Sequence, residues 1–123
     1  MDTATQDIAA VQRLIDLHFE IWNDTNPRNW AAKFEQAYTP NFFVADYAGT
    51  ATGYVSVGQL LQRVQGEHAG FSFTPDQIAW NHGIGRVTWG YGPKDNPNLI
   101  RGEDIFTIKD GRLASAYVFI DKK

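Results

Sequence analysis

The sequence has 123 residues, enough for one domain with a hydrophobic core and too few for two. A net charge of −3, with no basic run longer than Lys122–Lys123, argues against nucleic acid as a partner. There are no cysteines, which excludes disulfides and suits a cytoplasmic location. Because the sequence shows neither a signal peptide nor an apolar stretch of roughly 20 residues, we expect no membrane association.

A first helix is predicted near the N-terminus. Thr3 or Thr5 can cap it, and Asp7 fits its first turn, where an acidic side chain is favourable. Apolar residues then recur at helical spacing from Ile8 to Trp22. The stripe is wide, so more than one side of this helix is expected to be buried.

Two more helices and an early strand follow. The second helix is predicted to start at Asn26, with Pro27 in its first turn, and to end before Pro40. Residues 42–47 are rich in β-forming types and predict a strand. The third helix is predicted over 56–68, with a serine as its cap.

From Phe71 onward the pattern changes to strands. We predict them near the five ranges 71–73, 77–82, 84–91, 99–109 and 112–120, with Asp110–Gly111 forming a short hairpin turn. The predicted fold class is therefore α+β: a single domain spanning residues 1–123, in which three N-terminal helices pack on a strongly curved, mainly antiparallel β-sheet.

The second half of the chain resembles a known family. Trp89 and the segments 101–106 (RGEDIF), 110–113 (DGRL) and 118–121 (VFID) are similar to the strand–hairpin–strand ending of SnoaL-like proteins, in the nuclear transport factor 2-like superfamily. The resemblance covers nearly the whole chain and implies a cone-like fold with a pocket for a small apolar or cyclic organic molecule. Because the family includes isomerases, cyclases, dehydratases, an epoxide hydrolase and binding modules, it implies the fold more firmly than an activity.

Two carboxylates are the first candidate catalytic residues. Asp46 ends an apolar strand, and Asp104 shares a strand face with Phe106. In an apolar wall, Asp104 could stay neutral and donate a hydrogen bond while Asp46 abstracts a proton. The alternatives are an Asx-type turn for Asp46 and an ion pair with Arg101 or Arg86 for Asp104.

The resemblance to ketosteroid isomerase implies the same roles. Val44–Ala45–Asp46 matches the strand that bears the general base of that enzyme, and Asp104 matches its neutral, oxyanion-stabilising aspartate. Phe119 matches an aromatic residue of the steroid pocket. The helix-1 tyrosine that completes the oxyanion hole is replaced by Leu14, so a different substrate or reaction is expected.

Histidine and arginine form a second candidate group. His82 is a natural general base and is placed as a third candidate catalytic residue, either paired with Asp46, as in some dehydratases of the family, or as a simple strand-end histidine. Arg86 could bind an anionic part of a substrate or be a surface residue. His18 and His68 are interpreted as structural or solvated. The histidines are too dispersed for metal-ligand spacing, so neither a metal nor another cofactor is expected.

Aromatic residues make up 14% of the chain and indicate either a thick core or an aromatic cavity. The candidate ligand-binding residues, besides Arg86, are Trp22, Trp30, Phe34, Trp89, Phe106, Tyr117 and Phe119.

The sequence is compatible with three functional hypotheses. The first is a cofactor-independent isomerase, cyclase or dehydratase that uses acid/base carboxylates. The second is a non-catalytic module that binds a small ligand or a partner. Epoxide hydrolysis ranks third, because it would need Asp46, an arginine and Asp104 to converge.

The last strand, 113–120, does not alternate between apolar and polar residues, so both of its faces are expected to be buried, one of them in a homodimer through the sheet.

Overall fold

A seven-stranded sheet and three α-helices make up the described part of the chain, residues 7–47 and 49–121 of a computed structural model. The helices are α1 (Ile8–Asn23), α2 (Trp30–Ala37) and α3 (Gly53–Glu67). The strands are β1 (Tyr38–Asp46), β2 (Gly49–Thr52), β3 (Ser72–Pro75), β4 (Ala79–Asn81), β5 (Ile84–Gly92), β6 (Ile100–Lys109) and β7 (Arg112–Ile120).

The strands are ordered β2-β1-β7-β6-β5-β3, and β4 also pairs with β5. Every pairing is antiparallel except that of β1 with β7, which is parallel. The helices cover the concave face of this curved sheet, so the predicted α+β class is confirmed. None of the described helices is long and apolar enough to cross a membrane.

The core forms where the helices meet the concave face. In β5, buried Val87, Trp89 and Tyr91 alternate with exposed Arg86 and Thr88, which is the period-two pattern of a strand with one covered face. Buried residues of α1 and α3 pack against this face, among them Val11, Ile15, Val57 and Leu61. The alternation decides which side chains of each strand can reach an interior site.

The helix starts differ from the predictions. Asp7 is the N-cap of α1 rather than a first-turn residue, because its side chain accepts a hydrogen bond from the Ala9 backbone N–H at 2.9 Å. Thr3 and Thr5 lie outside the described residues. Asn26 caps a 3-10 turn over Pro27–Asn29, after which α2 begins at Trp30.

The second helix was predicted to extend further toward Pro40 than it does. The second helix ends at Ala37, and Tyr38 and Pro40 belong to β1. Proline is tolerated there because the β1–β7 register shifts between Tyr38 and Phe43, leaving an irregular stretch without a full ladder. The third helix begins at Gly53, three residues before the predicted cap, and strand β2 was not predicted.

Two hairpins use two-residue turns with left-handed backbone. Asp110 and Gly111 have φ of 55° and 79°, which confirms the predicted β6–β7 turn. His82 and Gly83 have φ of 45° and 94° and connect β4 to β5 in the same manner. His82 is therefore a turn residue rather than the end of a strand.

Candidate functional site

A cavity of about 240 Å³ lies between the helices and the concave face of the sheet. Helix α1 contributes His18, Phe19 and Trp22 to its wall, and α3 contributes Val64 and Glu67. Strands β1, β3, β5, β6 and β7 supply most of the rest of the lining, and Tyr47 and His68 follow directly after β1 and α3. The lining is predominantly apolar and aromatic. This cavity matches the interior pocket that the family resemblance implied.

Asp104 is the most deeply placed charged residue of the cavity, at 5% exposed. The indole N–H of Trp89 donates to its Oδ1 at 2.9 Å, and the Nε2 of His18 lies 3.5 Å from its Oδ2. Trp89 can reach this position because Gly102 faces it on the neighbouring strand. A Cβ at Gly102 would run into the Trp89 ring and lie 2.8 Å from the Phe119 carbonyl oxygen.

Tyr38 extends this polar cluster behind the cavity wall. Its hydroxyl lies 2.7 Å from the Nδ1 of His18 and accepts from the indole N–H of Trp22 at 3.1 Å. Burial raises the pKa of the Tyr38 hydroxyl far above its ordinary range, the Asp104 charge raises it further, and the Trp22 hydrogen bond opposes both. Tyr38 is consequently a neutral phenol.

One assignment of hydrogens satisfies the whole cluster. Trp22 donates to Tyr38, Tyr38 donates to Nδ1 of His18, and Nε2–H of His18 then faces Asp104, which also accepts from Trp89. In this assignment Asp104 accepts hydrogen bonds, whereas the ketosteroid isomerase resemblance implied a donor. The Nε2–H is then the single N–H of the His18 ring, and it points to Asp104 at the cavity wall.

Asp46 also lines the cavity, at the end of β1. Its Oδ1 accepts from the backbone N–H of Gly49 at 3.0 Å, so it makes the turn that the sequence offered as an alternative. The turn and the cavity position are compatible, since one carboxylate can serve both. Asp46 and Asp104 therefore meet in a single cavity, although they are far apart in sequence.

His82 does not reach this cavity. It is exposed in the β4–β5 turn, where its Nδ1 lies 2.8 Å from Oδ1 of Asn81. Strands β5, β6 and β7 separate it from Asp46, so the suggested Asp46–His82 pair is not formed. The acid–histidine pair of the cavity is Asp104 with His18.

Neither candidate arginine enters the cavity. Arg86 projects from the outer face of β5, 66% exposed, with its Nε 3.9 Å from Oε2 of Glu103. Arg101 binds Asp76 at 2.7 Å. The predicted ion pair between Asp104 and either arginine is therefore wrong, and the Asp–Arg–Asp group that epoxide hydrolysis would need is not assembled.

The aromatic candidates divide into three groups. Trp22 and Trp89 line the cavity as expected. Trp30, Phe34 and Phe106 are buried in the core outside the cavity lining. Tyr117 and Phe119 point to the outer face, 45% and 50% exposed, because Ala116 and Val118 occupy the inward positions of β7.

Several cavity residues were missed by sequence reasoning. His18 and His68, interpreted as structural or solvated, both line the cavity. The signal for His18 was present in the sequence, because Ile15, His18, Phe19 and Trp22 follow the i, i+3, i+4, i+7 spacing of one helix face. The other missed aromatic residues of the wall are Phe19, Tyr47 and Phe73.

The polar residue that α1 directs into the cavity lies one helical turn after the position matched to the ketosteroid isomerase tyrosine. Leu14, which was aligned with the oxyanion-hole tyrosine, is half-buried and does not line the cavity. The polar group that α1 supplies is His18, four residues later. Within residues 7–47 and 49–121, no three His, Cys, Asp or Glu side chains are grouped so as to hold a metal ion.

Comparisons with known proteins identify the fold. No family model and no curated protein matches the sequence. A solved structure of a proposed isomerase of the SnoaL-like family, from Agrobacterium tumefaciens, superposes with a TM-score of 0.85 at 16% identity, over 93% of this chain and 99% of that one. A proposed SnoaL-like polyketide cyclase from Jannaschia sp. gives 0.71 at 19% identity, over 95% and 86%.

A proposed ketosteroid isomerase from Kribbella flavida gives a TM-score of 0.69 at 16% identity, over 94% of this chain and 80% of that chain. These superpositions cover almost the whole chain with low identity, so they establish a shared backbone arrangement. The protein has the SnoaL-like fold of the nuclear transport factor 2-like type, as the sequence resemblance implied.

Proposed function

We propose that the cavity binds a small, largely apolar cyclic molecule and catalyses a proton transfer on it without a cofactor, as an isomerase, cyclase or dehydratase does. The observation that carries this proposal is the His18–Asp104 pair, an acid and a base held together in a cavity whose wall is predominantly apolar and aromatic. A buried pair of this kind is costly unless it is hydrogen-bonded, and here Tyr38 and Trp89 supply the partners.

In this proposal each group has a role. The Asp104 carboxylate takes a proton from a carbon of the bound molecule, and the electron pair of the broken C–H bond moves toward an adjacent oxygen. Once Asp104 is protonated, the Nε2–H of His18 turns from the carboxyl group and donates a hydrogen bond to that oxygen. The protonated Asp104 returns its proton to a different carbon to complete an isomerisation, or to a departing hydroxyl group, which leaves as water, to complete a dehydration.

Asp46 is a second base in this proposal. It lies at the end of β1 on the same cavity, where it could serve a different carbon of the ligand. The Gly49 N–H, which donates to its Oδ1, fixes the position of this carboxylate. Substituting each aspartate separately distinguishes the two bases.

The test uses small cyclic ketones with a β,γ double bond, whose conversion to the conjugated isomer is followed by ultraviolet absorbance. Asp104→Asn should lower kcat by about 100-fold or more, in the range typical of losing a general base. Ligand affinity measured by calorimetry should stay close to that of the wild type.

Glu103→Gln is the matched control. Glu103 is adjacent to Asp104 on β6 but faces outward, near Arg86. This variant should keep the wild-type rate. Full activity in Asp104→Asn with loss in Asp46→Asn would move the base to Asp46, and full activity in both variants would rule out catalysis by either aspartate.

The alternative is a non-catalytic binding module with the same fold. One observation favours it: the indole N–H groups of Trp22 and Trp89 both donate inside the protein, so neither is free to stabilise an oxyanion. A binding module would hold its ligand with an affinity indifferent to Asp46→Asn and would show no turnover.

We also propose that the protein is a homodimer formed through the outer face of the sheet. Tyr117, Phe119 and Ile84 are 45%, 50% and 48% exposed on that face, and the ring of Phe43 contacts Tyr117. Rings placed side by side on an open face are typical of a protein interface.

The proposed location is cytoplasmic, which cell fractionation would test.

A further inference from the structure

The charged groups of the cavity are all of one sign. Among the described residues, the lining includes the carboxylates of Asp46, Glu67 and Asp104 and no lysine or arginine. The two histidines, His18 and His68, are the only other titratable bases in it. The rest of the wall is aromatic, phenolic or aliphatic, so the potential inside is dominated by negative charge.

Three of the cations outside the cavity are placed beside other carboxylates. Arg101 is bound to Asp76, and Arg86 projects from the outer face. Lys33 is bound to Glu20 at 2.7 Å. Glu67 has no ion-pair partner among residues 7–47 and 49–121, so its carboxylate is available at the cavity.

The aromatic wall adds to the preference for positive charge. Phe73 and Tyr91 stack with ring centroids 4.1 Å apart, and Trp89 meets Phe73 edge-on at 5.1 Å. Ring faces attract cations, most strongly where water is displaced. Tyr91 lies near enough to Glu67 that burial and the Glu67 charge together raise the pKa of its hydroxyl to about 12.

We propose that the natural ligand is an organic cation, an amine or imine carried on an apolar ring system. Its ring lies against Trp22 and Phe73, and its positive nitrogen lies beside Glu67, with the cavity size limiting it to fewer atoms than a typical drug-sized molecule. Carboxylate and phosphate ligands are disfavoured, because they would meet carboxylates without a compensating cation.

This inference rests on the same cavity as the proposed function and deepens it. A protonated imine next to the reacting carbon accepts the electron pair when Asp104 removes the proton, which gives a neutral enamine. The ligand's own charge then performs the task for which the indole N–H groups of Trp22 and Trp89 are not free.

The experiment compares three molecules that share an indole ring and differ in charge: tryptamine, tryptophol and indole-3-propionate. Binding is measured by calorimetry at neutral pH. Tryptamine should bind about tenfold tighter than tryptophol, and indole-3-propionate more weakly than tryptophol. Raising the salt from about 20 mM to 0.5 M should reduce the advantage of tryptamine, because a charge at the rim is screened.

Glu67→Gln should reduce the advantage of tryptamine several-fold without changing the affinity for tryptophol. Glu103→Gln, which removes an equal charge from the outer face, should leave it unchanged. Equal or tighter binding of tryptophol or indole-3-propionate overturns the inference, and so does a failure of tryptamine to bind at millimolar concentration. These measurements involve no turnover, so they can fail while Asp104→Asn still abolishes activity, or succeed while the protein proves non-catalytic.

Discussion

Tyr38 shows how one buried hydroxyl can organise a site that it does not line. It is fully buried and holds the Nδ1 of His18 at 2.7 Å, which turns the Nε2 of His18 toward Asp104. Replacing it with phenylalanine keeps the ring that stacks on Phe42 but leaves Trp22 and His18 without their shared partner. We expect Tyr38→Phe to cost about 1–3 kcal/mol of unfolding free energy at neutral pH.

The pH dependence of stability reports on the same hydroxyl. A tyrosine in an unfolded chain titrates near pH 10, and burial holds the folded pKa of Tyr38 higher. The unfolded chain therefore releases this proton first, so the stabilisation is complete below about pH 10 and declines above it. In urea unfolding, the wild type should lose stability more steeply than Tyr38→Phe above pH 10, by about 1.4 kcal/mol per pH unit.

Tyr117→Phe serves as the control for that titration. It removes a hydroxyl from the exposed outer face and should retain the wild-type slope. If Tyr38→Phe and the wild type decline in parallel above pH 10, then the hydroxyl of Tyr38 is not the group that titrates.

At the residue scale, the sequence predicted part of the site. Asp46 and Asp104 were recognisable because each lies in or directly after an apolar strand segment, and both line the cavity. His18 was overlooked although its helical spacing placed it on the buried stripe of α1. The spacing predicts which face of the helix is buried. Only the packed structure shows that this face contacts Asp104 as well as apolar side chains.

At the scale of elements, turn chemistry was the most transferable signal. Asp110–Gly111 was recognised because two left-handed residues are needed in a two-residue hairpin, and the structure has both. His82–Gly83 has the same geometry but was interpreted as the end of a strand, because Asn-Gly and Asp-Gly are the sequences typical of such turns and His-Gly is not. The early end of α2 was missed since Pro40 can also lie in an irregular strand.

Glycine substitutions separate backbone strain from packing. Gly111 has φ of 79°, and a Cβ there would contact nothing within 4 Å, so Gly111→Ala tests the left-handed conformation alone. We expect a loss of about 1–2 kcal/mol in thermal or urea unfolding. Gly66 lies exposed in α3 with equally open surroundings, and Gly66→Ala should instead stabilise the protein by roughly 0.5–1 kcal/mol. A stabilising Gly111→Ala would contradict the turn geometry.

At the scale of the whole molecule, successive side chains of β7 point alternately to the cavity and to the outer face of the sheet. Ala116 and Val118 line the cavity, whereas Tyr117 and Phe119 project from the opposite face. The sequence suggested that both faces of this strand are covered, and it could not say which residues faced which way because its residues do not alternate in polarity. Register with β6 and β1 decides this.

The proposed homodimer gives a prediction for this surface. Sedimentation equilibrium of the wild type at about 50 μM should show a dimer, since association depends on concentration. Phe119→Asp should shift it to a monomer while retaining ligand binding, because Phe119 does not line the cavity. A wild-type monomer at this concentration, or an unchanged dimer in the variant, would place the interface elsewhere or remove it.

The position of β7 in the sheet also has a consequence for biosynthesis. This strand, the last of the described chain, lies between β1 and β6, and its parallel register joins Ala116 to Val44. Without β7, no strand pairing joins β1 and β2 to strands β3 to β6, so Asp46 and Asp104 belong to two groups of strands that are not hydrogen-bonded to each other. The hollow they share can close only when translation has passed residue 120, so ligand cannot assist the earlier stages of folding on the ribosome.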